Sequence, residues 1–282
     1  MSKSDLENKL KEFLLELKLD EKSSKTIKDY EHQLKTFINW IQDKEIDKFN
    51  LIAYKEYLLN SQYAIASKNK NIVVVNKFVR WLGFSKMYLK QFKHVQKLSL
   101  NNPLYPQEHK RLLRWAKKLD MYDMYLILEI FAHTGCRLAE LKYFTVENTS
   151  KGIFEIYNKG KARNIILIPE LKQELINYCK NQRIEKGYIF ISPRKPSKMI
   201  HSSTVWRRLK KIAGFAKVNK DKIYPHAWRH LFAKEYAKLP GSSTEELADI
   251  FGHSKTETTR LYMRTSDREK QQRLEKMKYK GD

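Results

Sequence analysis

Residues 226–233 read HAWRHLFA and residues 252–262 read GHSKTETTRLY, and the reading of these two stretches decides what the chain is. His226 and Arg229 stand three residues apart, which on a helix brings both side chains to one face, one turn apart. That helix is expected over residues 226–238. A second one is expected over 244–251, ending at Gly252, since glycine best tolerates a left-handed helix end. His253 follows directly, and Tyr262 comes nine residues later. Taken one at a time, each has an ordinary explanation. A histidine after a helix-ending glycine caps or packs, and any one of 16 tyrosines can serve as a core or surface aromatic.

Further toward the N-terminus, Met121–His133 is apolar nearly all round and reads as a central buried helix. The segment HTGCRLAEL follows, with Arg137 at the start of the next element and Glu140 as a ready salt-bridge partner. Strands are expected over Gly152–Tyr157 and Asn164–Ile168, joined by a tight turn of Asn158, Lys159, Gly160, Lys161 and Ala162. Other helices are expected over Glu108–Leu119, from about Leu171, over Ser203–Phe215 and over Asp267–Lys278.

Residues 3–92 read as helices joined by turns. Ile27, Tyr30, Leu34, Phe37, Ile38 and Ile41 recur every three or four residues, so they share a helical face, with Ser23 or Ser24 as N-cap. A short helix near Leu51–Leu59 follows. Ile72, Val75, Val79 and Leu82 then form a stripe whose opposite side carries Lys70, Lys77 and Arg80. Between Lys90 and Gln107 the periodicity fails, and two prolines and paired asparagines mark a linker. The expected organisation is a helical domain over 1–92, a linker over 93–106 and a second domain over 107–282.

Composition narrows the partner. The 282 residues include 56 Lys plus Arg against 32 Asp plus Glu, a formal net charge of +24, which suits a polyanion. From Tyr57 to Gln107 there are eight basic residues and no acid, and from Lys186 to Lys220 ten and none. Solvated lysine surfaces normally interleave acids, so nucleic acid is the expected partner, ahead of an anionic membrane surface. No apolar run approaches the roughly 18 residues that cross a bilayer. The charged start and only two cysteines, Cys136 and Cys179, both read as packing residues, point to a reducing cytoplasm.

In combination, an Arg in TGCRLAEL, a Lys in NKGKAR, an HxxRH helix, a Gly-His pair and a Tyr nine residues beyond it resemble the tyrosine recombinase family of Xer proteins, phage integrases and Cre. Phe251, Trp228 and Cys136 depart from commoner family residues, and none of these changes removes a catalytic group. The resemblance implies a mainly α fold with a small β-hairpin: a two-domain DNA clamp of a helical core-binding domain and a catalytic domain with a C-terminal docking helix. It implies site-specific recombination of double-stranded DNA through a 3′-phosphotyrosine, without metal or nucleotide cofactor, by a tetramer on two DNA sites.

The implied roles match what the chemistry requires. A five-coordinate phosphorane gathers negative charge, and Arg137 and Arg229 supply guanidinium forks for it. Tyr262 is the implied nucleophile, His226 its proton acceptor and His253 a hydrogen-bond donor to phosphate or nucleophile. Lys159 is the implied acid for the departing 5′ oxygen, with Lys161 in reserve, while His230 and Glu140 support. Three other functions compete: a type IB topoisomerase-like enzyme, a non-catalytic DNA-binding accessory protein, and a metal-dependent nuclease or transposase, which would need a carboxylate cluster.

Overall fold

The computed structural model describes residues 1–93, 102–158, 161–192, 195–253, 256–263 and 267–275. The chain divides into two compact units, Met1–Gln96 and Lys97–Asp282. Most of the linker expected over 93–106 lies outside the described residues.

In the first unit, α1 (Lys3–Leu19) opens with a reciprocal cap in which Ser2 and Asp5 satisfy each other's backbone N–H. Its Leu6, Leu10, Phe13 and Leu17 form one buried stripe. Helix α2 (Ser24–Ile41) is capped by Ser23 and buries Leu34, Phe37, Ile38 and Ile41, the expected face. Helices α3 (Lys48–Asn60) and α4 (Ile65–Trp81) complete the core. Ile72, Val75 and Val79 of α4 point inward while Lys70, Lys77 and Arg80 stay exposed, as their spacing predicts. A polar thread crosses this core without loss, because the Tyr54 hydroxyl donates to Asn71 at 2.9 Å and the Asn71 amide donates to Gln33 at 2.7 Å.

The second unit is built around α6 (Tyr122–Thr134), whose Met124, Leu126, Ile127, Leu128, Ile130 and Phe131 are all fully buried. Helices α5 (Pro106–Lys118), α8 (Pro169–Asn181), α9 (Ser202–Phe215) and α10 (Pro225–Tyr236) pack around it. A 3-10 turn (Leu138–Tyr143) and α7 (Val146–Lys151) lead into the hairpin, and α11 (Thr244–Phe251), α12 (Thr256–Tyr262) and α13 (Asp267–Leu274) close the chain. The end of the helix expected to reach Lys278 lies outside the described residues. No helix among those described is long and apolar enough to cross a membrane.

The hairpin corrects the sequence reading. Strands β1 (Ile153–Asn158) and β2 (Lys161–Ile166) pair antiparallel from Ile153↔Ile166 to Asn158↔Lys161, so pairing continues through residues assigned to the turn. The alternation explains it. Arg163, Ile165 and Leu167 are buried while Ala162, Asn164 and Ile166 are exposed, a period-2 pattern in which an inward arginine masked the strand. A second hairpin, β3 (Ile191–Ser192) with β4 (Lys195–Met199), was not expected, and neither were α7 and α12.

Candidate active site

Helix α10 starts at Pro225, where a missing N–H costs nothing, and buries Trp228 and Arg229 completely. Trp228 is a core residue whose indole N–H donates to His109 at 3.1 Å. A fully buried arginine must have its charge answered. Arg229 Nη1 donates to the Gly135 carbonyl at 2.7 Å, and Nη2 donates to the Phe251 carbonyl at 2.8 Å and meets His253 Nε2 at 3.1 Å. The guanidinium carbon sits over the Phe251 ring, 3.7 Å from its centroid. Burial, then Arg137 and Arg163, press the Arg229 pKa down, and guanidinium basicity still keeps it charged at neutral pH.

Two glycines make this anchoring possible. Gly135 ends α6 at φ 56°, and a Cβ there would come within 2.6 Å of the Phe251 ring. Gly252 ends α11 at φ 62°, and a Cβ there would lie 2.9 Å from Arg163 Cδ. Both positions combine left-handed backbone with close approach, so glycine is required twice over.

Arg137 is partly exposed, with Nη1 donating to Glu140 Oε1 at 2.9 Å and its backbone N–H to Oε2 at 2.8 Å. Glu140 is buried, and its Oε2 also accepts from Arg163 Nη2 at 2.7 Å. Burial alone would raise the Glu140 carboxyl, but Arg163 and the Arg137 hydrogen bonds overcome it and hold it at about 2. Arg163 in turn donates from Nη1 to the Ile250 carbonyl at 2.6 Å, which ties the hairpin to the end of α11. Sequence reasoning missed Arg163. Its signal was a charged residue at an inward position of an alternating strand.

His253 is bonded through both ring nitrogens, with Nδ1 2.9 Å from Thr259 Oγ1. Its ring stacks on that of Tyr262 with centroids 5.5 Å apart, and the Tyr262 centroid is 5.4 Å from the Arg229 guanidinium carbon. His230 lies 4.6 Å from Tyr262 between centroids and donates from Nδ1 to the Tyr262 carbonyl at 3.3 Å. Burial pushes His230 down to about 4. His226 is exposed at the first turn of α10, yet partial burial of its ring and the charges of Arg229 and Arg137 lower its pKa as well. Both imidazoles are therefore neutral at pH 7. The site thus gathers Arg137, His226, Arg229, His253 and Tyr262, while Lys159 and the Lys161 side chain lie outside the described residues.

Burial drives the Cys136 thiol up to about 12 and Cys179 to about 11, as suits packing residues. Among the described residues no group of three His, Cys, Asp or Glu side chains is placed to hold a metal ion.

The phage integrase family pattern matches residues 102–269, more than half of the chain. The chain belongs to the phage integrase family. The N-terminal SAM-like domain of phage integrases matches residues 10–84. Tyrosine recombinase XerA of Pyrococcus furiosus is 25% identical over 272 residues, covering 95% of this chain and 93% of its own. A tyrosine recombinase of Pseudothermotoga lettingae is 27% identical over 280 residues, covering 92% of this chain and 94% of its own. Among solved structures, a lambda integrase fragment, a dimer bound to a COC' core site, matches with a TM-score of 0.75 at 17% identity, over 97% of this chain and 99% of that one. As a phage integrase family member of the tyrosine recombinase kind, the chain is an enzyme of site-specific recombination that cuts and rejoins DNA strands.

Proposed function

We propose that Tyr262 is the nucleophile of this recombinase and that Arg229 and Arg137 stabilise the charge that its attack creates. The observation that carries this reading is the placement of the Tyr262 ring 5.4 Å from the carbon of a fully buried, permanently charged guanidinium on its own chain. A guanidinium fixed beside the attacking group offsets the negative charge that the reaction gathers there. Attack on phosphorus forms the Tyr262 Oη–P bond, releases the 5′ oxygen and keeps the phosphoester energy for rejoining. Neutral His226 is suited to take the phenolic proton. Lys159, assigned on its sequence match, gives a proton to the leaving oxygen.

The basic stretches of both units supply duplex contacts, and the reacting assembly is a tetramer on two DNA sites. The C-terminal segment joins neighbouring protomers. Glu269 ties α13 to Lys234 of its own α10 at 2.6 Å, so what supports the contact with a neighbour is the far end of the helix, where Leu274 stays 64% exposed.

The test is a suicide substrate nicked beside the cleavage position, incubated in excess EDTA without nucleotide. Wild-type protein accumulates an SDS-resistant adduct at the 3′ phosphate. Tyr262→Phe keeps the ring and its packing, binds the same DNA and gives no adduct; an adduct from this variant would falsify the assignment.

A further inference from the structure

We propose that Arg163 is a positioning residue for the departure step: it pins the β1–β2 hairpin to the end of α11 and so sets the hairpin lysine against the leaving oxygen. The inference rests on the acid role just given to Lys159. Toward their base the two strands are held by apolar burial, since Phe154, Ile156, Ile165 and Leu167 all sit in the main core. Arg163 pairs with Ile156 across the hairpin, and at this inward position the hold passes from apolar contact to a guanidinium fork. One arm, Nη1, donates to the Ile250 carbonyl at 2.6 Å, and the other, Nη2, donates to Glu140 Oε2 at 2.7 Å. The stem lies over Gly252, where a Cβ would meet Arg163 Cδ at 2.9 Å.

A buried arginine is a costly choice there. Another isoleucine at position 163 would bring no polar group to satisfy, whereas Arg163 is 8% exposed and its Nε finds no acceptor among the described residues. What the arginine adds is geometry, a rigid planar fork that fixes two directions at once. Both partners belong to the floor of the site, because Glu140 holds Arg137 and Ile250 lies three residues before His253. Lys159 lies only four residues before Arg163 in the sequence. An error in the placement of β2 is therefore passed to the lysine, and proton transfer demands a donor within about 2.6–3.2 Å of the departing oxygen.

The test measures adduct formation by the full chain on two suicide substrates, one with the ordinary 5′ oxygen and one with a bridging 5′ sulfur, which leaves without a proton. The readout is the ratio of the two rates in one preparation, so partial loss of folding, which lowers both alike, does not move it. Arg163→Lys keeps a cation for Glu140, whose buried carboxylate outranks the carbonyl as a partner, and gives up the Ile250 bond. It is expected to slow the oxygen substrate about tenfold and the sulfur substrate less than about twofold. Lys159→Ala should show the same rescue by sulfur, more strongly. Equal losses of Arg163→Lys on both substrates, or no loss on either, overturn the proposal, while a rescued lysine variant keeps the acid reading. If neither Lys159→Ala nor Lys161→Ala were rescued, the acid reading would fall first and the proposal with it. Should Arg163→Lys not fold, Arg163→Met combined with Glu140→Gln removes both charges of the pair, and its ratio against that of Glu140→Gln alone decides in the same way.

Discussion

The two halves of the active site are built differently. Arg229 and Glu140 form a floor set into the catalytic unit, tied to the ends of α6 and α11 and to the middle of β2. Tyr262 stands on α12, a seven-residue helix that packs on a small cluster of Ala233, Leu247 and Phe251. The floor is fixed in advance and the proposed nucleophile rides on the smaller element. Because no part of Arg229 reaches solvent, a phosphate touches it only when its cover gives way. The element carrying Tyr262 packs on the smaller apolar cluster and so has less burial energy to lose than the helices of the main core.

The sharpest break of this contrast is Arg229→Ala. It leaves the Gly135 and Phe251 carbonyls without their donor, at about 1–3 kcal/mol each, and removes the buried charge. Adduct formation should fall by at least about a hundredfold, and the thermal midpoint should drop with it. Tyr262→Phe should lose all adduct and keep its midpoint. If the two variants melted alike, floor and nucleophile would not differ as claimed.

A smaller effect comes from acid. Glu140 is held at about 2 against an ordinary 4.5, so it contributes stability above pH 4.5 that is lost as pH falls toward about 2. That interval corresponds to roughly 3 kcal/mol, at about 1.4 kcal/mol per pH unit. Glu140→Gln should lower stability at pH 7 and flatten the loss on acidification, measured by denaturant unfolding at several pH values. An equally steep acid limb in the variant would place the linkage elsewhere, with Glu129 the next residue to change, since burial raises its carboxyl but His109 at 3.7 Å and His133 at 3.0 Å outweigh that and hold it at about 2.

The least change in the fold should follow deletion of residues 267–282. The described part of this segment is held by the partly buried Lys234–Glu269 pair, so stability should shift by about 1 kcal/mol or less. Single-site binding should persist in a mobility-shift assay while synapsis and recombination fall. Unimpaired recombination would leave the segment no part in assembly.

These contrasts also mark what the sequence could tell. Arg229 and His253 were legible because helix periodicity and a helix-ending glycine fix where their side chains point within a few residues. The buried bond from Arg163 to Glu140 was not, because it joins positions 23 residues apart and local patterning carries no record of that meeting. Arg163 falls at the margin of the expected turn, and the pairing to Asn158↔Lys161 makes the turn narrower than its glycine and polar residues suggest. Thr259 passed unnoticed for a related reason. One threonine in a polar run has no periodicity to mark it, and only the fold brings its hydroxyl to His253.

The carbonyls that receive Arg229 belong to the ends of two helices, α6 and α11, where the chain leaves acceptors unfilled. A single side chain thus closes two helices and, in the proposed mechanism, steadies the reacting phosphate. Natural variation cannot then discard the two functions independently: a copy that loses Arg229 also loses part of its fold, whereas one that loses only the Tyr262 hydroxyl remains folded and bound to DNA. Inactive descendants of this gene should therefore lapse first at the tyrosine, leaving stable proteins that occupy recombination sites without cutting them.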